Sequence, residues 1–509
     1  MTEHATLPSK TLDKPASFSL IERIGNSLPH PFLIFCYLAL TIVALSALLS
    51  TLGAGVNHPG TGEWVGIKSL VSRDGLQWIL TSALGNFVEF KPLGLVLAMT
   101  LGIGLAEGVG LIQTALREAL TKVPARFLTY MIFIMGIVGN LASDAAVVII
   151  PPIAAMIFHN AGRHPVAGLV AGFAAVSSGF TANFFITGTD ALLSGISTEA
   201  IEGIKEGVTV TPVSNWYFMS ASVIFLGSIG VFVTEKIIEP RLGIYSGDYK
   251  EEIQEPTTQE KKALLWAGIT AMAFLALLLS MVVPSGGLLR DSIKNTIIPS
   301  PFLEGLVPII ILFFIITSSV YGFVAGTIKT ASDIPDKMIQ AMGGMTGFLV
   351  IAFAMAQFIA YFKWTNMSVW VAVTGGQLLQ DAQFTGIPLI LSFIGFAALL
   401  NLFIVSGSAQ WALMAPVFLP MMMVVGFHPA FVQLCFRIAD SSTNTISPLN
   451  VYVPMVLVFL QRYDKRAGLG SLISLMVPYA VIFLLTWTVL LLIWMWLGLD
   501  VGVASSIFL

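Results

Sequence analysis

The sequence predicts an all-α polytopic membrane protein, with inverted-topology repeats, two re-entrant helical hairpins and helices broken at the bilayer midplane. Three observations carry this. The 509-residue chain is 56% hydrophobic and only 10% charged, where a soluble domain carries roughly 25% charged residues, so lipid must serve as its solvent. Its apolar runs are about 20 residues long, which fits spanning helices and not the alternating strands of a barrel. The sequence also matches itself without gaps: Pro124 falls on Pro388, Pro152 on Pro416, Gly162 on Gly426 and His164-Pro165 on His428-Pro429. In the same register Ala145 falls on Ala409, Ser177-Ser178 on Ser441-Ser442 and Thr181 on Thr445.

In chain order, residues 1–30 read as a polar cytoplasmic segment. The run Phe32 to Leu52 is too long for a signal-peptide core and reads as a retained helix. About nine spanning helices are expected, near 31–53, 92–115, 165–192, 215–235, 263–284, 302–326, 340–362, 429–453 and 472–498. Two more apolar stretches, about 124–162 and 388–427, are interrupted at Gly139-Asn140-Leu141-Ala142-Ser143-Asp144 and at Ser406-Gly407-Ser408-Ala409-Gln410-Trp411. Each half is roughly 22–30 Å as helix, which allows two full spans or a re-entrant hairpin. The polar tips favour the hairpin, because irregular backbone survives at depth only where protein or water satisfies it.

The plan is then a first helix with repeat 1 over 31–238, a cytoplasmic linker over 239–262, scaffold helices over 263–338 and repeat 2 over 339–509. Arg23, Arg117, Lys122, Arg126, Arg163, Lys236, Arg241, Lys261, Lys262, Lys329, Lys337, Arg462, Lys465 and Arg466 fall on one side, which the positive-inside rule makes cytoplasmic. Five crossings separate the repeats. An odd number inverts the second, a plan found in many secondary transporters.

The polar residues at depth point to the chemistry. Pro429 starts a helix, so Arg437 lies about 12 Å in and Asp440 about 16 Å in, near the middle of a core about 30 Å thick. Asp440 to Thr445, with Pro448 beyond, reads as an unwound break. Ser177, Ser178, Gly179, Thr181 and Asn183 occupy the matching depth in repeat 1, and Asp190 follows. Carbonyls and carboxylates at such breaks suit Na⁺, while half-helix N-termini suit an anion. The hairpin tips should bring Asn140, Ser143 and Asp144 to the first break, and Asn401, Ser406, Ser408 and Trp411 to the second. Plainer roles exist for each. Arg437 and Asp440 share a helix face and could be an ion pair; Asp144 could cap a helix; Asp190 could be a solvated end residue. Trp411 could be packing, and Asn140 and Asn401 could tie the hairpin loops. His164 and His428 read as turn residues.

Other classes are poorly served. Cys36 and Cys435 lie in apolar runs, which gives no disulfide framework. A net charge of −3 argues against a nucleic-acid partner. No H-E-x-x-H or G-x-S-x-G motif occurs, which leaves an intramembrane enzyme only an aspartyl pair such as Asp144 or Asp190 with Asp440.

The stretches 139–144, 175–183, 401–411 and 437–444 resemble the p-aminobenzoyl-glutamate transporter (AbgT) family, and the resemblance covers the chain past residue 20. It implies a homodimer in the bacterial inner membrane, N-terminus cytoplasmic, with nine membrane helices and two opposed hairpins per subunit. It implies import of p-aminobenzoyl-glutamate, or alternatively proton-driven export of sulfonamide antimetabolites and p-aminobenzoate. By motif, Asn401 and Asp440 match positions linked to Na⁺; Asp190, Trp411, Pro429, Arg437 and Asp440 match positions linked to transport. With the residue chemistry, the expected ion ligands are Asn401, Asp440, Ser406, Asn140 and Asp144. The expected substrate residues are Asp190, Trp411, Pro429, Arg437, Ser408 and Asn183. Arg437 would hold a carboxylate as a planar fork, Trp411 would stack on the aromatic ring, and no organic cofactor is expected.

Overall fold

A computed structural model describes residues 29–57, 62–121, 123–142, 144–205, 207–247, 255–293, 295–297, 300–404, 406–447 and 449–509. Most of the expected cytoplasmic segment, 1–30, lies outside the described residues, as do Ser143 and Pro448. Helix α1 spans Pro31–Thr51, followed by a small β-hairpin that pairs Gly55–Asn57 with Trp64–Gly66. Then come α2 (Arg73–Val88), α3 (Lys91–Gly108) and α4 (Leu111–Thr121). The first helical hairpin is α5 (Leu128–Gly139) and α6 (Asp144–Asn160), and the first broken helix is α7 (Pro165–Ser178) and α8 (Gly188–Ile201). α9 (Trp216–Val233) runs on through a π-helical turn to Leu242. α10 (Thr258–Val282), α11 (Leu306–Ala325), α12 (Asp333–Gly343), α13 (Thr346–Trp364) and α14 (Met367–Asp381) follow. The second hairpin is α15 (Gly386–Asn401) and α16 (Gly407–Val425), the second broken helix is α17 (Pro429–Thr443) and α18 (Val453–Tyr463), and α19 (Leu469–Trp496) closes the helical part.

Eight helical runs among the described residues are long and apolar enough to cross a bilayer. They do not coincide with the nine expected spans. One of the eight is α16, a hairpin arm, and both broken helices are absent because each half is too short. The sequence reading also passed over α2 and α14, whose apolar runs are interrupted by Arg73, Asp74, Gln77 and Asn86 and by Gln377 and Gln380. It passed over α4 and α12 because both are short and carry charge on one side. The expected linker begins later than 239, since helix continues to Leu242, and α10 starts at Thr258.

The repeat is visible in matched hydrogen bonds. Gly162 and Gly426 both end a hairpin at positive φ, +72° and +109°, where a side chain would be strained. His164 and His428 then cap α7 and α17, each Nδ1 accepting the amide of the second residue on, at 3.2 Å. Burial lowers the pKa of both imidazoles, which favours the neutral form able to accept. Proline follows at the first helical position, where a missing N–H costs nothing. At the far ends Asn140 Nδ2 donates to the Val176 carbonyl at 2.9 Å, and Asn401 Nδ2 to the Asp440 carbonyl at 2.7 Å.

Every residue of α7 and α17 is buried. α7 is sandwiched between α5 and α6. The contact is close because Gly168 lies against the Ala154 carbonyl and Gly172 against Pro151, the small-residue packing by which helices associate in lipid. α17 packs on α15, α16 and α19. Around this core, α1, α2 and α13 pack together, and α3 packs on α11 and α12. α8 rests on α3, and at its end Lys363 of α13 reaches Glu199 at 3.0 Å and Glu202 at 2.7 Å. The Lys363 hydrogen bond holds the Glu202 carboxyl below its ordinary range.

The breaks differ from the expected ones in place. The first runs over 179–187. The second runs over 444–452, so Asp440, Ser441, Ser442 and Thr443 remain in the last helical turn of α17. Partners explain this: Asn401 holds the Asp440 carbonyl, and the Thr443 hydroxyl returns to the Ala439 carbonyl at 2.8 Å, so the turn keeps its geometry. Beyond the breaks, helix continues to Ile201 and Tyr463, farther than 192 and 453.

The Gly168 contact is testable. An added Cβ would overlap the Ala154 carbonyl oxygen. Gly168→Val is expected to cost about 1–3 kcal/mol through overpacking, read as a lower unfolding midpoint in detergent. An unchanged midpoint would refute the close approach of α6 and α7.

Candidate substrate and ion site

The two breaks bond to each other. Ser178 Oγ lies 3.0 Å from Thr445 Oγ1 and donates to the Ser442 carbonyl at 3.4 Å; Thr181 Oγ1 lies 2.7 Å from Ser441 Oγ. Under the repeat, Thr445 corresponds to Thr181 and Ser442 to Ser178. The pairs are nearly reciprocal, as in an isologous contact about a two-fold axis.

Beside this junction lies a cavity of about 380 Å³, within the range of small-molecule sites. Helices from both repeats begin at its wall. Ser406, Gly407 and Ser408 start α16, Thr189 is in the first turn of α8, Tyr452 immediately precedes α18, and Val147 is in the first turn of α6. Helix N-termini carry partial positive charge and free amides, so their convergence suits an anion. Phe180, Leu192, Leu193 and Val176 supply apolar wall, and Asn444 and Asn450 supply amides.

Asp440 is the only carboxylate among the described residues of that wall. It is 2% exposed, and its Oδ1 has no hydrogen-bond partner. The tip of the second hairpin presses on it: a Cβ on Gly407 would stand 2.9 Å from Oδ1 and 3.1 Å from Oδ2. Asn401, also fully buried, spends its Nδ2 on the Asp440 carbonyl, Thr443 Oγ1 and Asn444 Oδ1, which leaves Oδ1 unpartnered. Two buried oxygens without donors are what a hard cation or a proton would complete. Among the described residues no three His, Cys, Asp or Glu side chains gather as a metal centre.

Arg437 does not face this cavity and does not pair with Asp440. Its Nη2 binds the Asp190 carboxylate and the Thr181 carbonyl, at 3.0 Å for the latter, and Nη1 donates to Asn215 Oδ1 at 3.4 Å. Asp190 in turn accepts the Thr187 amide and hydroxyl at 2.7 and 2.8 Å, a capping box that starts α8. Asp190 is therefore a buried helix-capping partner of Arg437 and not a solvated end residue. Trp411 is buried too. It stacks on Phe436 with ring centroids 4.7 Å apart and donates to Ser197 Oγ at 2.9 Å.

Of the other expected residues, Ser406 and Ser408 line the cavity. Asn183 is buried in the first break and accepts the Phe185 amide at 3.0 Å, and Asn140 ties the first hairpin to α7. Pro429 starts α17, about 16 Å along the helix from Asp440. The side chain of Asp144 lies outside the described residues. Sequence reasoning missed Phe180, Thr189, Leu192, Asn450 and Tyr452. Their signal was position alone: each lies in a break or in the first turns after one.

A model of the AbgT family of transporters matches residues 17–509. The chain is 46% identical over 488 residues to the p-aminobenzoyl-glutamate transport protein of Escherichia coli (strain K12), covering 95% of this chain and 96% of that one. It superposes on the YdaH transporter of Alcanivorax borkumensis with a TM-score of 0.89 at 37% identity, over 93% of this chain and 100% of that one. It superposes on MtrF of Neisseria gonorrhoeae, which belongs to a class of antimetabolite efflux pumps, with a TM-score of 0.90 at 40% identity, over 94% and 97%.

The Asp190–Arg437 pair has side chains only 10% and 2% exposed. Removing one partner strands a buried charge, which costs about 3–5 kcal/mol. Asp190→Asn should lower the unfolding midpoint of the purified protein strongly, and Asp190→Asn with Arg437→Gln should recover part of the loss. Additive losses in the double variant would count against direct pairing.

Proposed function

This chain belongs to the AbgT family of transporters, and from that premise we propose that it is a secondary active transporter of p-aminobenzoyl-glutamate or related aromatic carboxylates, coupled to Na⁺, H⁺ or both. The observation that carries the reading is Asp440, the one carboxylate among the described lining residues, on a cavity where the N-termini of α6, α8, α16 and α18 meet the C-terminal turns of α7 and α17. The N-termini favour the substrate carboxylate, while Phe180 and Tyr452 offer faces to its ring. An anion seated beside ionised Asp440 would be repelled. A cation or proton on Asp440 removes that repulsion, so ion and substrate favour each other's binding. Asn401 and Asp440, each with a free buried oxygen, are the proposed Na⁺ ligands, with Ser406 beside them. Trp411 and Arg437 enter this reading as supports of the wall, since the Trp411 indole N–H and both terminal nitrogens of Arg437 are held by protein partners.

On the strength of its basic-residue distribution the N-terminus is proposed to be cytoplasmic, and on its family membership the protein is proposed to work as a homodimer in the bacterial inner membrane. Alternating access would come from the hairpins and broken helices moving against the surrounding helices. A second reading, proton-driven efflux of sulfonamide antimetabolites and p-aminobenzoate, has the likeness to MtrF in its favour and would use the same cavity.

Proteoliposomes with imposed Na⁺ and H⁺ gradients separate the two. Saturable concentration of p-aminobenzoyl-glutamate driven by Na⁺ at fixed pH is expected. Flux indifferent to Na⁺ that collapses with the proton gradient would favour the efflux reading. Asp440→Asn should abolish gradient-driven flux while the protein stays monodisperse and folded. Normal coupled transport by that variant would remove Asp440 from the ion site.

A further inference from the structure

Behind the Asp440 wall, α8, α16 and α17 are joined by buried polar contacts. α17 presents Gln433, Phe436, Arg437 and Asp440 at spacings of three, four and seven residues, one face of a helix. α8 presents Asp190 and Ser197 seven residues apart, again one face. Asp190 meets Arg437 near the cavity. Farther along, Ser197 Oγ lies 2.7 Å from Gln433 Oε1. Trp411 of the second hairpin completes this outer rung, its indole N–H donating to Ser197 Oγ and its ring stacked on Phe436. The Ser197 hydroxyl thus accepts the indole proton and donates its own to Gln433 or to the Leu193 carbonyl, 2.9 Å away. Trp411 and Ser197 are 0% exposed and Gln433 2%.

Trp411 stands four residues from Gly407, one helical turn from the hairpin tip that presses on Asp440. An anchor one turn from the tip sets where the tip sits. We propose that Ser197 and Gln433 are positioning residues for the cation site, acting through Trp411 to hold Ser406–Ser408 against Asp440. This rests on the coupled-transport reading of the same cavity. Without the Ser197 hydroxyl, a buried indole N–H and a buried amide oxygen both lose their partner. The hairpin relieves them by shifting, and the tip moves off Asp440. A hard cation holds its oxygen ligands within a few tenths of an ångström, about 2.3–2.6 Å for calcium, so a small shift weakens it. α8 itself keeps its backbone hydrogen bonds.

The test is uptake of p-aminobenzoyl-glutamate by the full-length protein in proteoliposomes, measured against Na⁺ at fixed pH and against pH at fixed Na⁺. Ser197→Ala is expected to raise the half-saturating cation concentration about fivefold, the equivalent of one buried hydrogen bond. Substrate KM at saturating cation should stay within about twofold. Ser197→Thr, which keeps the hydroxyl, should restore the wild-type value. Trp411→Phe, which keeps the ring and removes the N–H, should give the same rise, and adding Ser197→Ala to it should add nothing. If Ser197→Ala does not yield monodisperse protein, Gln433→Met carries the same expectation. A wild-type half-saturation in these variants, or effects that multiply in the double variant, would overturn the positioning role alone. A wild-type protein indifferent to both Na⁺ and pH would overturn the coupled-transport reading, and the positioning role with it.

Discussion

Two helices with no exposed face, α7 and α17, set the terms for the rest of the structure. A helix buried on every side is normally apolar all round. α7 nearly is, but α17 carries Gln433, Arg437, Asp440, Ser441, Ser442 and Thr443. Neither water nor lipid can satisfy those groups, so each must find a partner inside the protein or remain free for a ligand. Three of the six find partners on the other repeat. Arg437 takes Asp190 and the Thr181 carbonyl, Ser441 takes Thr181, and Gln433 takes Ser197. The repeats are thus joined through polar contacts at their centre, where the backbone of both is already broken.

The symmetry of the repeats makes their one large asymmetry informative. Asn140 and Asn401 hold equivalent carbonyls, those of Val176 and Asp440. One of those two positions is apolar and the other is a carboxylate. Both side chains line the cavity, and among its described lining residues Asp440 is the one carboxylate. Both asparagines keep a free buried oxygen, and in the second repeat the residue whose carbonyl is tied is itself an acid. The repeat supplies the architecture of two ties, and the difference between Val176 and Asp440 puts a carboxylate on the cavity at the second.

The same accounting separates groups available to a ligand from groups already engaged. Arg437 and Trp411 look like substrate residues by type, a planar donor and a large ring. In place, Trp411 is engaged through its ring and its indole N–H, and both terminal nitrogens of Arg437 are taken by Asp190, Thr181 and Asn215 with only Nε left over; neither residue is among those lining the cavity. Asp440 Oδ1 and Asn401 Oδ1 are the reverse: equally buried, and without partners. In a low-dielectric interior an unsatisfied polar atom is costly, and its persistence beside a cavity marks it as the functional group more reliably than residue type does.

By itself, the sequence determined what solvent the protein uses, which apolar runs are interrupted, and that it is built twice. Composition, the interrupted hairpin runs and the matched Gly, His-Pro and Ser-Ser positions are local properties, readable because capping, positive φ and proline each act within a few residues. It also placed Asp440, Asn401 and the hairpin serines near one another through the repeat. Only the tertiary structure decided which partner each buried polar group takes: Asp190 for Arg437 and not Asp440, Ser197 for Trp411 and not a substrate ring. It also decided that the second break begins after Thr443. The two pairings depend on contacts between residues more than two hundred positions apart and the break on one between the hairpin and α17, and spacing along the chain carries no information about distances that folding alone creates.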